Sequence, residues 1–431
     1  MKTAYWQKWN KIYREEFLKN IMPFWMKYGM DKVNGGVYTC LDRDGKLMDS
    51  TKSVWFQGRC GWMCAYAYNH IAKKPQYLAA SKSCCEFLER HCFDKDGRAF
   101  FEVTAEGVGL RKRRYLFSEC FAAIAYAEYS LASGDKKWGK KAIDLFKRIR
   151  KFMANGEKYC PAKYTKAMKT QGHSLTMILI NVANVLKQIS DDPVLDQQIT
   201  ESIECLVKYF IHPEFKALLE TVGPNGEFID TLAGRVINPG HCIETSWFLM
   251  DVAIARKDEA LKEVALKILD WSWDWGWDEK YGGIISFKDC RNFPAQCYEQ
   301  DMKFWWPQCE TIIATAYAYQ LTGDKKWEKR HRLVSDWSWK HLRDPKYPEW
   351  YGYLHRDGTV AQPAKGNIFK GPFHIPRMLI RMYDLTRGCK RAYLSRLMED
   401  GAKSACSRGL NLPPFSTIWH ISNTARQDSN R

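Results

Sequence analysis

The chain has 431 residues, 45% hydrophobic and 14% aromatic, which is ample for a large packed core and too apolar for a disordered or fibrous chain. Its formal charge of +17 would suit an acidic partner, yet the basic residues are spread along the chain. Only residues 111–114 form a dense basic run, which reads as a solvated loop and not as a nucleic-acid patch. No run of about 18 apolar residues occurs and the N-terminal segment lacks a signal-peptide core, so the expectation is a cytoplasmic protein with no membrane or nucleic-acid partner. The 15 cysteines are scattered, with no Cys-x-x-Cys pair and no cluster at zinc spacing, which points to buried thiols and no metal.

In chain order, two series of markers alternate. Gly turns with strand-like flanks fall at Gly35, Gly97, Gly156, Gly226, Gly283 and Gly352, and several lead into short apolar alternations that read as hairpins. Between them lie small-residue helices, two of which end in the same Gly-Asp-Lys-Lys-Trp turn, at Trp138 and Trp327. Weaker copies of that turn place Tyr77, Leu195 and Leu261 at the tryptophan position. The repeat of about 60 residues is the length of two helices plus loops. Six helical hairpins, none able to bury both faces alone, predict an all-α (α/α)6 barrel over residues 1–387 with short β-hairpin loops at one end. An open solenoid of helix pairs is the structural rival.

Polar side chains sit near the start of each inner helix: Arg59, Glu119, His173, His241, Gln308 with Glu310, and His374. One per repeat is what a ring converging on one pocket needs. In Asn-Pro-Gly-His, His241 falls in the first helical turn, where the dipole disfavours the imidazolium, and Glu244 three residues on is placed to fix its tautomer or to hold a sugar hydroxyl. Pro376 biases the preceding residue away from helix, which puts His374 on an extended loop ahead of the helix. Each histidine, taken alone, reads equally well as an ordinary helix-cap residue. Trp55, Trp305 and Trp306 read as sugar platforms, since an aromatic face stacks on the apolar face of a pyranose, with plain core residues as the alternative.

"KSVWFQGR", "GRVINPGHCIE", "MKFWWPQCE", "RDPKYPEWYGYLHRDGTV" and "KGPFHIPRML" together resemble the N-acylglucosamine 2-epimerase (renin-binding protein) family. The resemblance spans about residues 5 to 387. It implies an (α/α)6 barrel, commonly a homodimer, that interconverts N-acetylglucosamine and N-acetylmannosamine without a metal, with ATP as an activator and not a consumed substrate. It makes His241 and His374 the acid/base pair, Arg59 the family arginine and Glu310 the family carboxylate; Glu244, Gln308, Lys303, Trp55 and Trp306 are further candidates around the sugar, and His173, in a segment where family members vary, is a candidate pocket residue only. Relatives acting on cellobiose or mannose, an (α/α)6 glycoside hydrolase, and a non-catalytic protein-binding role stay open as alternatives. Residues 388–431 lose the repeat and carry seven basic against three acidic side chains; they read as a flexible tail, with a partner-binding appendage as the alternative.

Overall fold

The computed structural model describes Met1 and residues 3–387; the expected tail, 388–431, lies outside the described residues. Two compact units are formed. Of the described residues, one takes those up to Ala167, Asn181–Asp196 and 338–387, the other Met168–Ile180 and Gln197–Trp337. The long helices are α1 (Ala4–Glu16), α2 (Val54–His70), α3 (Pro75–His91), α4 (Phe117–Ser133), α5 (Lys136–Ala154), α6 (His173–Leu186), α7 (Pro193–Cys205), α8 (Pro239–Arg256), α9 (Glu259–Gly276), α10 (Trp305–Thr322), α11 (Lys325–His341) and α12 (His374–Thr386).

The helices divide into two kinds. In the first unit α2 and α4 are buried along most of their length and pack on each other. The approach is close enough that a β-carbon on Gly58 would sit 2.5 Å from the Phe121 main chain. Against them lie amphipathic α3 and α5; α5 buries Trp138, Ala142, Leu145, Ile149 and Phe152 at three- and four-residue spacing. In the same unit α1 packs on α12. The second unit repeats the scheme, with buried α8 and α10 in contact and α9 against α8.

The repeated Gly-Asp-Lys-Lys-Trp turn works as its residues require. Gly134 and Gly323 end α4 and α10 at φ +76° and +71°, in the left-handed region that glycine enters without penalty. The next residue then caps the following helix: Asp135 accepts from Lys137 N at 3.0 Å and Asp324 from Lys326 N at 2.8 Å. Between α8 and α9 the same positions hold Lys257, at φ 54°, and Asp258.

The Gly-turn series holds in part. Gly35, Gly97, Gly226 and Gly283 adopt positive φ. Gly156 instead opens a one-turn helix, Gly156–Tyr159, and near Gly352 the left-handed position belongs to Glu349, at φ 67°. Some strand pairs are true hairpins, such as 211–212 with 217–218. Others join the strand just ahead of one helix to a different loop, as 52–53 does with 102–103, 171–172 with 221–222 and 236–237 with 288–289.

Each of several turns is held by a side chain from the start of the next buried helix. Gln57 accepts from Val37 N and donates to Val37 O, both at 2.8 Å, and Gln308 does the same with Ile284, again at 2.8 Å twice. Glu119 accepts from Ala99 N at 2.8 Å, and Cys242 lies 3.5 Å from Leu218 O. A buried lysine completes the clamp. Lys52 reaches Asp31 at 2.7 Å and also bonds Gly35 O; Lys303 binds Asp278 at 3.1 Å and Gly282 O; Lys365 binds Asp344 at 2.7 Å and Glu349 O. Burial alone would raise the Asp31 carboxyl, but the Lys52 ammonium and nearby N–H groups hold it well below the usual range.

These contacts correct two expectations. Gln308 and Lys303, anticipated at the sugar, are fully buried and turned to the Asp278–Ile284 loop, because a buried main chain must find its partners somewhere. Replacing Gln308 with leucine would leave the Ile284 N–H and C=O without that partner. At about 1–3 kcal/mol for each group, urea denaturation of Gln308→Leu should show a loss of roughly 2–6 kcal/mol.

Candidate active site

In the second unit the site is built around the start of α8. Asn238 caps the helix, accepting from His241 N at 3.2 Å, and Pro239 occupies its first position, where the missing N–H costs nothing. His241 is therefore the third helical residue, and its ring is 26% exposed. Its Nδ1 lies 2.8 Å from Glu220 Oε1 and 3.1 Å from Asn238 Nδ2. The shorter contact is to the ionised group, and a carboxylate can only accept, so Nδ1 carries a proton and any change of charge on the ring falls at Nε2. The carboxylate on His241 is thus Glu220, where the sequence pointed to Glu244.

Glu220 serves two histidines. His173, the first residue of α6, places Nδ1 3.5 Å from the same oxygen. Its Nε2 is 3.0 Å from Thr245 Oγ1 on α8, and its side chain is fully buried. Both ring nitrogens of His173 are thus turned to protein partners, Glu220 and Thr245, and the ring is not exposed to a sugar pocket as expected. Burial alone would raise the Glu220 carboxyl, but the His241 and His173 rings outweigh it and hold it well below the usual range. Ligand-type atoms of His173, Glu220 and His241 all lie within 4.8 Å of one another, a spacing that also suits a metal ion.

The aromatic wall is Trp306, half-buried, with its ring centroid 5.1 Å from that of His241. It lies close over Gly240, whose added β-carbon would be 2.5 Å from Trp306 Cη2. On the neighbouring buried helix Glu310 is fully buried and accepts from Trp247 Nε1 at 2.9 Å. Glu244 is 5% exposed and has a carboxylate oxygen within 4.8 Å of one on Glu310.

The first unit carries the other anticipated residues. The Arg59 guanidinium lies over four rings, 4.1 Å from Phe121, 4.6 Å from Phe373, 5.3 Å from Trp55 and 5.4 Å from Phe56. Trp55 is half-buried amid Phe101, Tyr115, Phe117 and Phe121. His374 is 6% exposed, with Nδ1 3.3 Å from Arg377 Nη2. It opens α12, and does not precede it on a loop. Pro376 takes the third helical position, where no N–H is needed. By position in the helix the equivalents are therefore His173 and His374, each first in its helix, while His241 is third.

The fold is all-α, an (α/α)6 barrel shared with solved structures. The cellobiose 2-epimerase of Bacillus thermoamylovorans matches with a TM-score of 0.77 at 21% identity, covering 88% of this chain and 99% of that one. A D-mannose isomerase matches with a TM-score of 0.75 at 16% identity, over 89% of this chain and 100% of the other. Residues 36–372 match the model of the N-acylglucosamine 2-epimerase family. The N-acylglucosamine 2-epimerase of Bos taurus is 32% identical over 409 residues, 92% of this chain and 94% of the relative; that of Homo sapiens is 32% identical over 381 residues, 86% and 89%. The chain belongs to the N-acylglucosamine 2-epimerase family, carbohydrate epimerases of the isomerase class.

Gly240→Ala should push Trp306 off the His241 ring. Misplacement on this scale costs roughly 10- to 100-fold in turnover. A shifted tryptophan emission with a nearly unchanged urea midpoint would show that the displacement is local.

Proposed function

We propose that this enzyme interconverts N-acetyl-D-glucosamine and N-acetyl-D-mannosamine by deprotonation at C2 of the open-chain sugar by one of His241 and His374 and reprotonation by the other. What carries the reading is the position of both histidines in the first turn of a helix, α8 and α12, in a chain 32% identical over 409 residues to an N-acylglucosamine 2-epimerase.

The chemistry sets the requirement. C2–H is acidic only because the C1 carbonyl can take up the electron pair, giving a 2-acetamido enolate with negative charge on O1. One histidine enters neutral and removes the proton; the other enters as the imidazolium and returns a proton to the opposite face. The C2–H bond is broken and remade, the two rings exchange charge, and proton exchange with water resets them. Arg59 is the cation assigned to the oxyanion, and Glu244 and Glu310 are the acceptors assigned to sugar hydroxyls. Trp306 and Trp55 are the sugar platforms. On this reading the reaction uses no metal and consumes no cofactor, ATP is an activator, and the working form is a cytoplasmic homodimer. A dimer predicts about 100 kDa by light scattering, from a chain of 50.3 kDa.

Purified enzyme given N-acetylglucosamine, cellobiose or mannose at equal concentration should favour the acetamido sugar. His241→Asn and His374→Asn should each lose about 100- to 10,000-fold in kcat, the usual contribution of a general acid or base. Faster turnover of cellobiose or mannose would overturn the substrate, and wild-type kcat in either variant would overturn the pair.

A further inference from the structure

We infer that Glu220 is the positioning residue that fixes His241 for proton transfer, and that His173 is the brace that holds Glu220 in place. The inference rests on the two-histidine reading and adds to it a source of asymmetry.

Glu220 is tied by its main chain to both helix starts that it serves. Its N–H donates to Val236 O at 3.1 Å, in the strand that leads into α8, and its C=O accepts from His173 N at 3.0 Å, at the first residue of α6. The side chain then reaches forward to His241 Nδ1 at 2.8 Å, with His173 Nδ1 at 3.5 Å on the same oxygen. His173 cannot swing away, because it is fully buried and its far nitrogen meets Thr245 Oγ1 at 3.0 Å. Thr245 lies one helical turn beyond His241 on α8, so the two histidines, the carboxylate and the hydroxyl close a ring of contacts across two helices.

The consequence is chemical. With Nδ1–H held by a carboxylate in both states, only Nε2 of His241 gains or loses the mobile proton. The charge that appears on the ring when Nε2 takes it is met at once by Glu220. His374 has a different neighbour at Nδ1, the Arg377 guanidinium at 3.3 Å. The two members of the pair are therefore differently supported.

The test compares Glu220→Gln, Glu220→Asp, His173→Gln and His241→Asn on the full chain, with N-acetylglucosamine and its C2-deuterated form. An orienting partner of this kind is worth about 10- to 100-fold. Glu220→Gln should lower kcat by that factor with little change in KM, and the isotope effect from C2 deuterium should rise toward its full primary value as proton transfer becomes limiting. Glu220→Asp, which restores the charge, should recover part of the loss, and His173→Gln should fall between wild type and Glu220→Gln. If His241→Asn is inactive while Glu220→Gln keeps wild-type kcat, the inference fails and the two-histidine reading stands. It also fails if the Glu220→Gln loss appears only in KM or in the urea midpoint with the isotope effect unchanged. If His241→Asn itself keeps wild-type kcat, the two-histidine reading fails and the inference with it.

Discussion

Two buried glutamines spend both ends of their amides on turns far upstream in sequence, Gln57 on Val37 and Gln308 on Ile284. On this contact the arrangement of loops over helix starts depends. A turn left to itself would hold its shape loosely, since its N–H and C=O groups would be satisfied by whatever water or side chain came near. Fixed by a side chain in the first turns of a helix, it becomes part of that helix's start. The lysine–aspartate pairs at Asp31–Lys52, Asp278–Lys303 and Asp344–Lys365 do the same job from the other side of each loop. Such pairs are weak evidence for stability, because each charge must leave water; here each ammonium also satisfies a turn carbonyl, which makes the geometry specific.

The site is a variation on that clamp. At the start of α8 the glutamine position is taken by Cys242, whose thiol faces Leu218 O, and two residues beyond Leu218 the chain places Glu220. The loop that is elsewhere only held in place here sends a carboxylate to the histidine beside the clamp. Structure and chemistry thus share one loop: the segment held against the helix at Leu218 also carries the carboxylate that meets His241 Nδ1.

Much of this was legible in the sequence, for reasons that are local. The Gly-Asp-Lys-Lys-Trp turns announce a left-handed helix end and an N-cap in adjacent residues, and Asn-Pro-Gly-His announces a capped helix with His241 in its first turn. Gln308 and Lys303 were misread because their partners lie 24 and 25 residues away, and a polar residue at a helix start looks the same whether it faces a ligand or a loop. Glu220 was missed for the same reason, since nothing in its neighbourhood marks it. A signal did exist: the turn-to-clamp separations are 20, 20 and 24 residues in other repeats, and Glu220 precedes His241 by 21. Aligning the repeats sets Leu218 opposite Cys242, which puts Glu220 two residues beyond the clamp at the start of α8. His374 was placed on a loop by the restriction that Pro376 puts on its neighbour, but the first three helical N–H groups need no intrahelical partner, so the helix begins before the proline.

On the proposed mechanism the proton removed from C2 and the proton returned to it both belong to side chains that exchange with water. Incubation of the enzyme with N-acetylglucosamine in D2O, followed at C2 by proton and carbon NMR, tests it most directly. N-acetylmannosamine should form with deuterium at C2 and nowhere else on the carbon skeleton. An epimer that retains the original C2 hydrogen in full, or no epimer at all, would contradict it.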